Sequence, residues 1–339
     1  MTTFVRNQWY VAAYGHEIGR ELFGRTILGE PIVFYRAESG EVVGLADRCV
    51  HRRFPLSESR LDGDTIVCGY HGFTYDRAGT CVFVPGQKRI PRTARVRAYD
   101  MVEQDNFVWV WIGDGEPAGS PPRAPWLADP EYTTVCGMEP LAARYELLVD
   151  NLLDLSHETY LHGGHIGTPE VAETPITTEV DEDAGVIYVS RRMADAACPP
   201  FYAKSTGIEG RITRWQDIEY RPPCLYLLHS RIAPAGVLPN EDGTDPDAFH
   251  VEVVYAITPE TEHSTHDFWA VARDFALEDQ GVSEFLAESN RTVVLQDVTA
   301  LDVLEQVIAT EPPGFQELSI NIDTGGLAAR RILKRMAAT

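Results

Sequence analysis

No stretch of this 339-residue chain approaches the roughly 20 consecutive apolar residues that a membrane-spanning helix needs. The opening MTTFVRNQWYVAAYGHE places charged and polar residues where a secretory signal requires an apolar run, so a cytoplasmic protein is expected. A surplus of positive charge is missing too: 29 Lys and Arg face 51 Asp and Glu, and the net charge of −22 weighs against nucleic acid or an anionic membrane surface as partner. Internal repeats are absent, and with 44% hydrophobic and 24% charged residues the composition fits neither collagen, coiled coil nor disorder. What remains is a soluble globular chain long enough for two domains with two sizeable cores. Cysteine is scarce at six, and Cys81, Cys136, Cys198 and Cys224 are scattered, which suits free thiols in a reducing compartment better than a disulfide framework.

The other two cysteines are not scattered. Cys49-Val50-His51 and Cys68-Gly69-Tyr70-His71 each offer one thiolate and one imidazole, and the sixteen residues between His51 and Cys68 suffice for a strand and a turn. Both loops can therefore meet at the tip of a small antiparallel sheet and hold a metal centre. In a Rieske [2Fe–2S] centre two cysteines hold one iron and two histidines the other, and a C-x-H…C-x-x-H order lets each loop reach both irons. Structural zinc sites more often group a cysteine pair and a histidine pair, and zinc is the alternative on spacing. The neighbourhood is basic: from Arg48 to Arg97 ten basic residues stand against four acidic ones. Such a patch steers an acidic electron donor, or is an ordinary solvated surface.

Residues 1 to about 112 read as short strands of β-branched and aromatic residues, such as Pro31-Ile-Val-Phe-Tyr35 and Phe107-Val-Trp-Val-Trp111, punctuated by Gly and Asp. An all-β domain over residues 1–115 is predicted. The segment 113–125, dense in Gly and Pro, marks the domain boundary. Beyond it the chain reads as an α+β domain over 116–339: a helix from Tyr145 to Leu161, strands from about 176 to 274, and a second helix from about Ser283 to Ile308 with Val294, Leu301, Leu304 and Ile308 on one stripe.

The first helix carries a second chemical signal in Asp154, His157 and His162. Asp154 and His157 are three apart and share a helical face. His157 and His162 are five apart, which turns them by roughly 140° on a straight helix. To aim both at one ion the helix must end or widen between them, and Gly163-Gly164 offers a break. Surface histidines at a helix end are the competing reading. Asp297 tips the balance: it lies on the stripe shared with Val294 and Leu301, where an unpaired buried carboxylate is unfavourable by several kcal/mol unless a metal takes it up. Two imidazoles and one carboxylate with other positions open form the facial triad of non-haem Fe(II) oxygenases. On periodicity alone, a capped or exposed aspartate fits equally.

These residues together resemble the oxygenase component of the Rieske non-haem iron aromatic-ring oxygenases, in the vanillate and dicamba O-demethylase branch. The resemblance runs through Phe4-Val-Arg-Asn-Gln-Trp-Tyr-Val-Ala-Ala13, both cluster loops, the run Leu148 to His162, Ile257-Thr-Pro-Glu-Thr261, Phe268 to Phe275, and Leu318 to Gly326. It implies an N-terminal all-β Rieske domain, then an α+β catalytic domain with an antiparallel, helix-grip-like sheet flanked by helices. It implies Cys49, His51, Cys68 and His71 as cluster ligands and His157, His162 and Asp297 as ligands of a mononuclear Fe(II). Asp302 competes with Asp297, because the family usually has Glu five residues after its Asp ligand. Asp154 would link His157 to His71 of a neighbouring subunit in a head-to-tail homotrimer, and Asn151 would sit beside the open iron position.

The implied reaction is monooxygenation, with electrons from NADH delivered by a flavin and [2Fe–2S] reductase. O2 and an aromatic substrate, vanillate-like and of methoxybenzoate type, would give the phenol and formaldehyde. A ring hydroxylase or dihydroxylase with the same centres is the alternative, and a zinc protein or bare electron carrier a third reading. His229, Tyr255 and Trp269 are candidates for substrate contact, or else packing residues. Where the dicamba branch places a His before the Thr-Pro-Glu turn this chain has Tyr255, a departure that speaks against dicamba itself as substrate.

Overall fold

The computed structural model describes residues 4–312 and 314–338. Two compact units emerge: Arg6–Arg123 with Thr258–Glu262 in one, and chiefly Ala124–Ile257 and His263–Thr339 in the other. The chain changes unit between Arg123 and Ala124, inside the Gly- and Pro-rich segment.

The first unit is all β. Its strands are β1 (Gln8–Tyr14), β2 (Phe23–Ile27), β3 (Glu30–Arg36), β4 (Val42–Ala46), β5 (Arg60–Asp62), β6 (Thr65–Val67), β7 (Thr74–Tyr75), β8 (Cys81–Phe83), β9 (Ala98–Tyr99), β10 (Met101–Gln104) and β11 (Phe107–Ile112). They form three antiparallel sheets in the orders β1-β11-β10, β2-β3-β4-β9 and β5-β6-β7-β8. β11 is buried at every position, which explains its unbroken Phe-Val-Trp-Val-Trp-Ile run: a central strand covered on both faces has no polar alternation to show. The short segment Thr258–Glu262 joins this unit through Thr258 Oγ1, which donates to the Val11 carbonyl at 2.8 Å, and through its own carbonyls.

The second unit is built on a seven-stranded antiparallel sheet ordered β12-β18-β17-β16-β15-β14-β13. The ranges are β12 (Thr133–Leu141), β13 (Thr177–Asp181), β14 (Val186–Ala197), β15 (Arg211–Arg221), β16 (Leu225–Pro234), β17 (Phe249–Thr261) and β18 (Ser264–Arg273). The sequence reading did not include β12, whose Thr-Thr-Val-Cys-Gly-Met-Glu-Pro-Leu lacks a clean alternation and whose inner face is opened by Gly137. A Cβ at Gly137 would come within 2.5 Å of the Trp269 ring, so the glycine is where that indole lies.

The helices are α1 (Tyr145–Leu153), α2 (Glu158–Leu161), α3 (Pro169–Glu173), α4 (Pro200–Thr206), α5 (Gln280–Thr310) and α6 (Thr324–Met336). Leu148 and Leu152 of α1, Val294 and Leu301 of α5, and Ala329 and Ile332 of α6 pack on Ile187, Ile218, Leu228, Tyr255 and Trp269 of the sheet. Each large apolar side chain buried here stabilises the unit by about 1.5–3 kcal/mol. Nearer the start of α5, Leu286 joins a second apolar cluster with Phe201, Ile212, Ile232, Val251 and Val271.

Two expectations change. The first helix does not run to Leu161: α1 stops at Leu153, and a 3-10 turn over Leu155–His157 precedes α2. Asp154 causes the break, being extended (φ −125°, ψ 95°) with its carboxylate taking the Ser156 N–H, so that its side chain replaces a helical backbone bond. The buried stripe of α5 runs Val294, Asp297, Leu301, Glu305, whereas Leu304 is 47% exposed. Glu305 can be buried because the Arg144 guanidinium grips both its oxygens at 2.7 Å. A count of apolar residues could not see that pairing.

Candidate metal centres

In the first unit, Cys49 to Phe54 and Cys68 to Phe73 are one six-residue loop used twice. In each, the cysteine N–H donates to the phenylalanine carbonyl (2.9 and 2.8 Å), and the residue before the phenylalanine returns its N–H to the cysteine carbonyl (2.9 Å in both). That penultimate residue has a left-handed backbone, Arg53 at φ 61° and Gly72 at φ 72°. Glycine is at ease there; arginine is not, and this hid the correspondence in the sequence. The second loop joins β6 to β7, at the tip of the small four-stranded sheet.

The two loops sort their donors by depth. Cys49 and Cys68 are buried, while His51 and His71 are exposed with ring centroids 4.5 Å apart. Phe73 stacks on His51 at 4.7 Å. Burial pushes the Cys68 thiol up, opposed by the backbone N–H groups of Tyr70 and His71 aimed at its sulfur. Tyr75 was not singled out from the sequence; its hydroxyl lies 3.1 Å from Cys49 Sγ, and burial followed by the Cys49 sulfur raises its pKa, keeping it neutral. Two buried sulfurs supplied with N–H and O–H donors, beside two surface imidazoles, fit a cluster with one thiolate-held and one imidazole-held iron.

In the second unit, His157, His162 and Asp297 bring one ligand atom each to within 4.8 Å of one another. His162 Nε2 is 3.2 Å and His157 Nε2 3.5 Å from Asp297 Oδ1. The opposite ring nitrogens are already committed: His157 Nδ1 to the Asp154 carbonyl at 2.6 Å, and His162 Nδ1 to Gln296 Oε1 at 2.8 Å. Holding Nδ1 leaves Nε2 free on both rings, the arrangement in which histidine serves as a metal ligand. Among the described residues, His162 Nε2 is buried without a hydrogen-bonding partner, as is Asn151 Oδ1, while Asn151 Nδ2 donates to Asp297 Oδ1 at 3.1 Å. A buried imidazole nitrogen aimed at a carboxylate and a second imidazole is the donor set of a three-ligand iron site, and the residues fit one.

The backbone between the two histidines is fixed by a buried network that the sequence reading missed. Arg214 and Gln216 of β15 hold the Glu158 carboxylate at 2.8 Å each, and Arg214 also donates to the Ile166 carbonyl. Gly167 closes the turn against α2; a Cβ there would lie 1.7 Å from the Glu158 carbonyl. So the five-residue spacing works because the 3-10 turn and α2 change the helical pitch around Glu158.

The remaining candidates divide. Asp154 caps the 3-10 turn with its carboxylate on Ser156 N and Oγ (2.9 and 3.0 Å) and its carbonyl on His157. Tyr255 and Trp269 are buried on the sheet face that α1 and α5 cover, with Tyr226 edge-on to Tyr255 at 5.8 Å. Asp267, also missed, is 1% exposed on that face; burial first, then the charges of Asp297 and Glu139, push its pKa well above its ordinary value. Asp302 is not brought to the triad, and instead accepts the Ala142 N–H at 2.9 Å.

His229 is not brought there either. It points to the opposite sheet face, where Nδ1 meets Glu252 at 2.5 Å and its ring packs on Trp126. Burial disfavours its charged form, but Glu219 and Glu252 outweigh this and raise its pKa to about 9. A raised folded-state pKa means stability that is fully present below the unfolded value near 6.5 and lost as pH rises through about 9. With the side chain 32% exposed, screening reduces the effect to about 1–2 kcal/mol. His229→Gln should therefore destabilise the protein at pH 6.5 and leave it near parental stability at pH 10, in urea titrations at both.

The similarities of the chain to known proteins agree with these two centres. Residues 8–99 match the family described as Rieske [2Fe-2S] domain, and residues 141–339 that described as vanillate O-demethylase oxygenase C-terminal domain. The chain is 33% identical to the toluene-4-sulfonate monooxygenase iron-sulfur subunit of Comamonas testosteroni, over 98% of this chain and 97% of that one. It is 34% identical to the vanillate O-demethylase oxygenase subunit of a Pseudomonas species, over 99% and 95%. Its fold superposes on the crystal structure of dicamba monooxygenase bound to 3,6-dichlorosalicylic acid with a TM-score of 0.92 at 30% identity, over 99% of this chain and 98% of that one. A Rieske-type loop pair in one unit and a two-histidine, one-aspartate group in the other thus occur in a chain that belongs to the Rieske oxygenase components with a vanillate O-demethylase-type C-terminal domain.

Proposed function

We propose that this protein is an O-demethylase, taking an aryl methyl ether, O2, two electrons and two protons to the phenol, formaldehyde and water. The observation that carries the reading is the convergence of His157, His162 and Asp297, with both imidazoles pre-aimed through Nδ1, in a chain similar end to end to demethylase oxygenase subunits. Cys49, His51, Cys68 and His71 would hold the [2Fe–2S] cluster, and His157, His162 and Asp297 the mononuclear iron. Iron held by three ligands would supply O2 activation beside the substrate.

The protein's own residues position the rest. Asn151 Nδ2 pins Asp297 Oδ1, fixing the carboxylate's orientation, while Gln296 and the Asp154 carbonyl fix the two rings. Buried Tyr226, Tyr255 and Trp269 make a low-dielectric wall that excludes water from the methyl group under attack. Hydroxylation of that methyl gives a hemiacetal, which collapses to phenol and formaldehyde with the ether oxygen leaving on the ring. The exposed edges of His51 and His71 are the accessible side of the cluster, suited to electron entry and exit. In a head-to-tail homotrimer, His71 of a neighbouring copy would reach the Asp154 carboxylate, whose carbonyl already holds His157. The electron donor would be a reductase carrying a flavin and a [2Fe–2S] cluster. No disulfide links any two of the described cysteines, which is in keeping with a cytoplasmic setting.

The test is a panel of methoxybenzoates and their neutral analogues with a generic reductase, scored for formaldehyde and for coupled NADH loss. Formaldehyde from at least one member is expected. Similarity to a toluene-4-sulfonate monooxygenase subunit favours a second reading, hydroxylation at carbon without C–O cleavage. Hydroxylated product from a methylated or unsubstituted ring, with no formaldehyde from any ether, would establish that instead. Asp154→Asn should keep both metals, by iron analysis and cluster absorbance, yet lower turnover by about 100-fold or more, as expected when a group linking two centres is neutralised. Loss of the mononuclear iron in that variant would contradict the role.

A further inference from the structure

A polar seam separates the two apolar clusters beneath α5. On β16, Leu228 belongs to one cluster and Ile232 to the other, with Ser230 between them. On β15, Ile218 and Ile212 belong to the two clusters and Gln216 lies between; on α5, Leu286 and Val294 flank Asn290 in the same way. Gln216 and Ser230 are direct cross-strand partners. Gln216 is 0%, Ser230 2% and Asn290 6% exposed, yet Gln216 Oε1, Ser230 Oγ and Asn290 Nδ2 find no hydrogen-bonding partner among the described residues. Each such atom is unfavourable by about 1–3 kcal/mol unless something polar meets it. Three of them fall at the junction of the same two apolar clusters, two as cross-strand partners and one on α5, and so mark a candidate binding surface.

Their chemistry is specific. Gln216 Nε2 donates to Glu158, which as a carboxylate can only accept, so the amide orientation is set and Oε1 is left as an acceptor. Asn290 offers a donor, and Ser230 a hydroxyl that does either. Arg191, opposite Gln216 on β14, brings no spare charge: its Nε donates to the Thr174 carbonyl at 3.3 Å, and the carboxylates of Glu158 and Asp154 face its guanidinium. Asn290 precedes Asp297 by seven residues, two turns along one helix face, or about 10 Å. That distance accommodates a single benzene ring between the iron ligands and the seam.

Resting on the reading of the iron site as one for an aromatic ring, we propose that Ser230, Asn290 and Gln216 determine specificity by holding the far end of the substrate through a neutral group that both donates and accepts, such as a hydroxyl or primary carboxamide. A hydroxyl donates to Gln216 Oε1 and accepts from Asn290 Nδ2, with Ser230 completing the set. A carboxylate or sulfonate only accepts, and would meet the Gln216 oxygen with no proton between them. Any acid group on the ring therefore lies elsewhere than in the seam.

Calorimetric titration of the iron-loaded protein with 4-methoxyphenol, 4-methoxybenzamide and 4-methoxybenzoate tests this without turnover, so failure of demethylation and failure of the seam are read separately. The phenol and amide should bind about 10-fold or more tightly than the benzoate, the discrimination typical of a site built to pair a polar group. Ser230→Ala and Asn290→Leu should each erase that preference by weakening the neutral ligands alone, with iron content and cluster absorbance unchanged. Benzoate binding as tightly as the phenol overturns the proposal on the parent protein, with no variant needed. So does the absence of binding by all three, or variants that bind all three as the parent does, in which case the seam holds only water.

Discussion

Asp297→Ala should empty the mononuclear site of iron and lower turnover by about 100-fold or more, while cluster absorbance stays at the parental level. The carboxylate would supply one of three converging ligands, is the acceptor for Asn151 Nδ2, and faces both imidazole Nε2 atoms within 3.5 Å. Removing it leaves two neutral imidazoles, too few to hold a divalent ion on a rigid scaffold. The cluster loops belong to the other unit and make none of these bonds, so their spectrum is the internal control. Asp302→Ala is the matched comparison. Its side chain accepts the Ala142 N–H, and its loss should cost about 1–2 kcal/mol of stability with iron retained. Iron lost from the Asp302 variant and kept in the Asp297 variant would reverse the assignment.

Arg214→Met should destabilise the second unit by about 3–5 kcal/mol, because it strands the Glu158 carboxylate in the interior. Both partners are almost wholly buried, with side chains 1% and 3% exposed, and they meet at 2.8 Å. Gln216 keeps one bond to Glu158 but cannot neutralise it. For a unit of this size the loss corresponds to a fall in Tm of about 10 °C. Since Glu158 lies between His157 and His162, iron affinity should fall with stability. Adding Glu158→Gln to the same chain removes the uncompensated charge and should restore much of both. If the single variant melts within about 1 °C of the parent, the pair is not what holds the backbone between the two histidines.

How far the sequence was legible depended on what kind of signal each residue gives. The cluster loops announced themselves because Cys and His are rare and their order interleaved. Their hidden twofold likeness was not readable, since Arg53 occupies a left-handed position that composition assigns to glycine. His157 and His162 were visible as a pair at an awkward spacing; the device that reconciles them, Asp154 breaking the helix and Glu158 tied to Arg214, depends on strands more than 50 residues away. Asp297 stood out as a carboxylate on an apolar stripe, yet Glu305 on the same stripe is explained by Arg144 rather than by metal. The same pattern had two physical causes, and only the partner tells them apart. Among the substrate candidates, Tyr255 and Trp269 face α1 and α5, while His229 faces away; strand parity decides this, and it required the register of β16 against β17. Ser230, Gln216 and Asn290 gave no sequence signal, because unsatisfied polarity is a property of surroundings rather than of residue type.

The most direct test of two centres acting in one chain is a single turnover. Protein reduced stoichiometrically and freed of excess reductant is mixed with an aryl methyl ether that the panel has shown to react, then with O2, and formaldehyde and cluster oxidation are followed together. Formaldehyde in amount matched to the mononuclear iron, appearing as the cluster reoxidises and absent in Asp154→Asn, is the predicted result. Cluster reoxidation with the ether recovered intact, or formaldehyde at the parental yield from Asp154→Asn, would contradict it.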